Sequence, residues 1–231
     1  MINKNQKRNL VVVAHPDDEI LGFGGTGRSL VSDGGVVQPV ILCGDVLARQ
    51  RRPSCGMLSD HIASANRSLG FCEPILGSFP NIRMNRVDHL EIVQYIEDKI
   101  RDFQPDRIFT HHPEDLNDDH GHVSRACLAA ARLFQRDTSI RAIDEIYYIE
   151  VLSSTDWSFP GPRRGFEPNT FIDITSTIDQ KLRALEKYVG VMRPVPHPRS
   201  TEVVNALARY RGAQAGHLFA EAFQLIFKRS L

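Results

Sequence analysis

The chain has 231 residues, 42% apolar and 24% charged, with 28 Lys and Arg balanced by 28 Asp and Glu. That is the profile of one globular domain over 1–231 with a substantial core, and it gives no global field for nucleic acid or an anionic membrane. No apolar run reaches the length of a membrane span, Met1 to Arg8 lacks the apolar centre of a signal peptide, and four cysteines without a C-x-x-C pair read as reduced thiols, so the expected setting is cytoplasmic.

The first predicted element is a buried strand, Leu10 to Ala14. His15-Pro16 stops it, since Pro16 has no N–H for a ladder, and the turn that follows carries His15, Asp17, Asp18 and Glu19. A turn past the carboxyl end of a strand is where ligands bind in open α/β sheets. His15 and Asp18 stand three apart, close enough to share a zinc ion, with Asp17 left as a free base. The plainer alternative, acids that only cap the next helix, gives His15 no role. Gly22 to Val31 reads as a helix whose glycines allow close approach of a ligand or a neighbouring strand. The G-x-G-x-x-G spacing of a dinucleotide site is absent.

Val36 to Cys43 is a second strand, bent or at an edge because of Pro39. Gly44 to Gly56, with Arg49, Arg51 and Arg52, reads as a surface loop or lid over the strand ends. A helix over Leu58 to Leu69, a short strand at Ile75-Leu76 and a helix over Asp88 to Phe103 follow. Arg107 to Thr110 is a strand, Val123 to Phe134 an alanine-rich helix and Ile146 to Ile149 another strand. Ser153 to Pro168, which holds Trp157, Arg163 and Arg164, is a long loop. A strand at Thr170 to Ile174, helices at Ser176 to Val189 and Thr201 to Tyr210, and a last strand or docking segment at Leu218 to Phe227 complete the chain. Alternating strands and helices predict an α/β fold, a mostly parallel sheet flanked by helices on both faces.

Between the fourth strand and its helix lies His112-Pro113-Glu114-Asp115-Leu116-Asn117-Asp118-Asp119-His120, too polar for a core and too rich in titratable groups for a plain connector. His120 is the expected third zinc ligand. With His15 and Asp18 it makes a two-histidine, one-carboxylate set that leaves a position open for water. Asp119 or Asp115 would hold an imidazole in its ligating tautomer. His111, His112 and His122 are alternative ligands or substrate donors. Arg49, His112 and Asp119 are the expected substrate contacts.

Ala14-His15-Pro16-Asp17-Asp18-Glu19, with the downstream His112, Asp115, Asn117, Asp119 and His120, resembles the LmbE-like (PIG-L) family of zinc-dependent N-deacetylases. Pro196-His197-Pro198-Arg199-Ser200 and Ala220-Glu221-Ala222-Phe223 are similar to its carboxyl-terminal part. The resemblance implies a Rossmann-like fold and removal of an acetyl group from N-acetylglucosamine-type sugars or their conjugates. It implies one zinc ion per chain on His15, Asp18 and His120, with Asp17 as general base, and a homo-oligomer such as a trimer or hexamer. Where some members have His-Pro-Asp-His, this chain has Asn117, and Leu58 and His61 stand roughly where an Arg-x-x-Glu pair is common.

The expected chemistry is attack of metal-bound water, its pKa lowered to about 7, with Asp17 taking the proton. A single oxyanion donor is worth about 3–4 kcal/mol. His197 is the candidate, with Asn117 or His112 behind it. Two other readings fit less well: a metal-dependent hydrolase of another amide or a phosphoester, and a sugar-binding module without catalysis. Many phosphoester sites take two metals, and binding alone does not require Asp17 beside the metal.

Overall fold

The computed structural model describes residues 6–44, 55–159 and 165–230. Seven strands form one sheet in the order β3-β2-β1-β4-β5-β7-β6. The central strand is β1 (Arg8–Val13), paired in parallel with β2 (Val36–Ile41) on one side and β4 (Arg107–His111) on the other. Beyond them lie the short β3 (Ile75–Leu76) and β5 (Glu145–Ile149), both parallel to their neighbours. The far edge turns antiparallel, with β7 (Ala220–Lys228) between β5 and β6 (Thr170–Asp173). Leu218 to Phe227 is therefore a sheet strand and not a docking segment. Pro39 has the same strand parity as Val37 and Ile41, whose carbonyls face the β3 side, and pairing with β3 starts only at Val40. The missing N–H thus falls where β2 is still an edge.

The helices are α1 (Asp18–Ser32), α2 (Cys55–Leu69), α3 (His89–Phe103), α4 (Asp118–Ala130), α5 (Ile178–Glu186) and α6 (Thr201–Ala215). Strand alternation in β1 divides the core between the two faces. Val11 and Val13 pack with Phe23 of α1, Ile62 of α2 and Leu185 of α5. Leu10, Val12 and Ala14 pack with Ile96 of α3 and Val123 of α4. Among the described residues, no helix is long and apolar enough to cross a membrane. Cys43, Cys72 and Cys127 are free thiols.

Helix α1 starts four residues earlier than the glycine run suggests, at Asp18, and its first turn is buried despite Asp18 and Glu19. Its glycines meet neighbouring side chains. A Cβ on Gly22 would fall 2.8 Å from Ile149 Cδ1, and one on Gly27 would run into the Phe71 ring and lie 2.7 Å from Phe23 Cε1. Alanine gains up to about 1 kcal/mol of helix propensity over glycine, but overpacking a core costs about 1–3 kcal/mol. Between two buried rings the second effect wins. Gly27→Ala is therefore expected to lose about 1–2 kcal/mol of stability in denaturant titration, and an unchanged midpoint would contradict this packing.

Candidate metal centre

The carboxyl ends of β1 and β4 meet where the strand order reverses, the crevice in which open α/β sheets bind ligands. Past β1, Ala14 is fixed from both sides: its carbonyl accepts from Cys43 N at 2.8 Å and its N–H donates to His111 Nε2 at 2.8 Å. His15 is thereby placed over the sheet. Asp17 then takes φ 98° and ψ −27°, a left-handed conformation that costs a non-glycine residue about 1–3 kcal/mol. Its N–H donates to Glu19 Oε2 at 3.0 Å, and its carbonyl accepts from Leu21 N at 2.9 Å. Glu19 is itself held by Tyr188 Oη and by Asn66 Nδ2, and burial pushes its carboxyl up to about 7.

Asp17 occupies the N-cap position of α1, yet its side chain makes no capping bond. Its two oxygens instead accept from Arg199 Nη1, each at 3.1 Å. The acids of this turn do more than cap a helix.

After β4, the loop to α4 is pinned by Ser154, whose carbonyl accepts from Leu116 N and whose hydroxyl accepts from Asn117 N. Asn117 caps α4 by accepting from Asp119 N at 3.1 Å. One turn in, His120 is buried facing His15, with ring centroids 5.4 Å apart.

Asp18 Oδ2 is the point of convergence. It lies 3.4 Å from His15 Nδ1 and 3.2 Å from His120 Nε2. Ligand atoms at zinc bond lengths of about 2.0–2.1 Å on a tetrahedron stand about 3.3–3.4 Å apart. The opposite nitrogens are spaced differently: His15 Nε2 is 2.9 Å from Asp119 Oδ2, and His120 Nδ1 is 2.8 Å from Asp115 Oδ2. These are N–H···O hydrogen-bond lengths, too short for two ligands of one ion. Among the described residues, three overlapping groups have the ligand types and proximity of a metal site: His15/Asp18/His120, His15/Cys43/Asp119 and His111/Asp115/His120. Only in the first do the spacings suit an ion, with each imidazole held by a carboxylate behind it. Asp115 and Asp119 both perform the orienting role, one for each histidine.

Electrostatics agree with this division. Burial works to lower the pKa of His15, but Asp119, Asp18 and Cys43 outweigh it and hold the ring well above the ordinary value. Burial likewise opposes charge on Asp18, which His120 and His15 nevertheless keep ionised far below the usual carboxylate range. His111 goes the other way: burial and the neighbouring His120 push it well down, and its ring stacks on His120 at 3.7 Å between centroids. With Nε2 accepting from Ala14 N, His111 is a neutral support and offers no Nε2 lone pair for a metal.

His15, Asp17 and Asp18 line a cavity of about 270 Å³ with Asn81, Asn117, Ser153, Arg193, His197 and Arg199. The structure thus brings His15, Asp17, Asp18, Asn117 and His197 to one cavity wall and sets His120 Nε2 3.2 Å from Asp18 Oδ2. Two expected substrate contacts lie away from the cavity lining. Asp119 is buried, and its carboxylate is spent on His15 Nε2, Ile82 N and Met84 N. His112 lies outside the cavity lining, its ring edge-on to Tyr148 and Phe166 and its Nδ1 accepting from Glu114 N. Arg49, with Arg51, Arg52, Arg163 and Arg164, lies outside the described residues. His122 faces Asp118 on the half-exposed side of α4. Arg199, Arg193 and Ser153 are cavity residues that sequence reasoning did not single out.

A second prediction follows from the carboxylates behind the imidazoles. Asp115→Asn leaves His120 without a charged acceptor and is expected to weaken metal affinity about 10- to 100-fold, read by competition with a chromogenic chelator. An unchanged affinity would show that Asp115 does not orient the ligand.

A family model described as PIG-L, GlcNAc-PI de-N-acetylase, matches residues 10–131, more than half of the chain and the stretch that carries both polar loops. The chain belongs to the PIG-L family. Its fold is shared by three solved structures among others. N,N'-diacetylchitobiose deacetylase from Pyrococcus horikoshii is 18% identical, with 96% of this chain and 85% of that chain covered at a TM-score of 0.77. A conserved protein of Thermus thermophilus is 24% identical, with 96% of each chain covered at a TM-score of 0.77. GalB, the 4-carboxy-2-hydroxymuconate hydratase of Pseudomonas putida, is 22% identical, with 98% of each covered at a TM-score of 0.75. A fold that serves both a deacetylase and a hydratase leaves the chemistry of this PIG-L protein to be argued from its site.

Proposed function

We propose that this protein is a zinc-dependent hydrolase that removes the acetyl group of an N-acetylglucosamine-type amino sugar or conjugate. The observation that carries the reading is the spacing of His15 Nδ1 and His120 Nε2 about Asp18 Oδ2, at the wall of a cavity lined by His15, Asp18 and the buried Asp17. Bound by those three residues, zinc would supply a Lewis acid able to activate water near neutral pH and polarise an amide carbonyl.

Asp17 receives the proton of the attacking water on a carboxylate oxygen and returns it to the leaving amine nitrogen. Arg199 Nη1, shared between both oxygens, fixes the plane of that carboxylate. The left-handed backbone at Asp17 turns the side chain away from its capping position toward the cavity. His197 Nδ1 accepts from Arg199 N at 3.0 Å, so the ring proton of the neutral tautomer sits on Nε2. Burial, Arg193 and Arg199 all lower the pKa of His197, which favours that neutral form. His197 is thus a donor to the carbonyl oxygen as it gains negative charge. Asn117 spends its Oδ1 on the cap of α4, and its Nδ2 has no hydrogen-bond partner among the described residues, leaving a second donor on the cavity wall.

The test is a panel of N-acetylated sugars and conjugates assayed for released amine and acetate, with metal analysis alongside. The reading predicts amine and acetate in equal amounts and one zinc per chain. Turnover of a phosphoester with no amide hydrolysis, or two metals per chain, would overturn it.

A further inference from the structure

The inner cavity serves the acetamido group, but its outer wall has a chemistry of its own. We propose that Arg193 and the free edge of the Arg199 guanidinium form an anion subsite, and that the substrate carries a carboxylate or phosphate beside its acetamido group. The proposal rests on the deacetylase reading of the inner site.

The loop between α5 and α6 supplies Arg193, His197 and Arg199 to the same cavity. It folds back on itself, with Arg193 N donating to Arg199 O at 3.2 Å, so the two arginines are neighbours across the loop. Arg199 is mostly buried and uses Nη1 on Asp17 and Nε on Ser153 Oγ at 2.9 Å. Its Nη2 has no hydrogen-bond partner among the described residues. Arg193 is exposed at the mouth and has no carboxylate within ion-pair distance among the described residues. Both guanidinium charges are felt by the His197 ring.

The carboxylates on the described wall are Asp17 and Asp18. Arg199 pairs with the first, the second belongs to the proposed metal ligand set, and Asp156 adds its field to Arg199 from outside the lining. Arg193 therefore has no carboxylate partner among the described residues at the cavity mouth. Both arginines line the one cavity, and guanidinium donors suit carboxylate and phosphate oxygens, so an oxyanion entering it can be met by the two together. Asn81, Asn117 and Ser153 supply the polar, uncharged part of the wall, suited to sugar hydroxyls.

The experiment compares kcat/KM for N-acetylglucosamine 1-phosphate, N-acetylmuramic acid and N-acetylglucosamine in metal-loaded wild type, Arg193→Ala and Arg193→Lys. A hydrogen bond to a charged group is worth enough to predict a preference of about tenfold or more for one of the anionic compounds. That preference should shrink as salt rises, collapse toward unity in Arg193→Ala through KM, and survive in part in Arg193→Lys. The phosphate and carboxylate compounds separate the two sources of negative charge. Equal kcat/KM for charged and neutral compounds, or an anion preference untouched in Arg193→Ala, would overturn the subsite. If none of the three is deacetylated, the inner-site reading fails. Equilibrium binding of the same compounds then decides the subsite alone: tighter anion binding lost in Arg193→Ala supports it, and equal binding refutes it.

Discussion

Asp17→Asn is expected to lower kcat by about 10²–10⁴-fold while the protein still binds one metal per chain. The substitution keeps the size of the side chain and leaves an amide oxygen to accept from Arg199 Nη1, so the buried guanidinium retains a partner. What it removes is the capacity to take a proton. Asp17 is not among the three ligand-spaced atoms, so metal content should not follow activity. Metal analysis and steady-state rates on one preparation decide the matter. Near-normal turnover in Asp17→Asn would remove the proposed base, and a parallel loss of metal would assign Asp17 to the ligand set.

The second large effect concerns His120. Its Nε2 is 3.2 Å from Asp18 Oδ2, and its other nitrogen is committed to Asp115. His120→Ala removes one of the three proposed protein ligands. It should therefore weaken metal binding beyond the roughly 100-fold upper range seen when only an outer partner is lost, and reduce activity to that of chelator-treated protein. His122→Ala is the control on the same helix, because His122 faces Asp118 away from the cavity. If both variants kept metal and activity alike, the centre would lie elsewhere.

How much of this was legible in the sequence depended on how far apart the interacting residues lie. The apolar run of β1 and the stop at Pro16 are local signals, and they located the first polar turn. The second turn was located by composition alone, since a stretch so dense in His and Asp has no place in a core. Helix α1 starts four residues before its sequence signal because Asp18 and Glu19 resemble turn residues in the absence of their buried partners. The glycine spacing of α1 answers to Ile149 and Phe71, which no local pattern reveals. Asp119 reads as a substrate contact for the same reason: its carboxylate is saturated by His15 and by backbone N–H groups near Ile82, 37 positions away. Arg199 is 182 positions from Asp17, and charge pairing over that span leaves no periodic trace. The local hint is the Pro196–Ser200 motif, in which His197 is the more chemically conspicuous residue.

The most direct test is anomalous diffraction at the zinc edge on crystals of the metal-loaded protein. A single peak is predicted between His15 Nδ1, Asp18 Oδ2 and His120 Nε2, open to the cavity that holds Asp17. A peak among His15, Cys43 and Asp119, or among His111, Asp115 and His120, would place the ion behind the imidazoles and contradict the proposed centre.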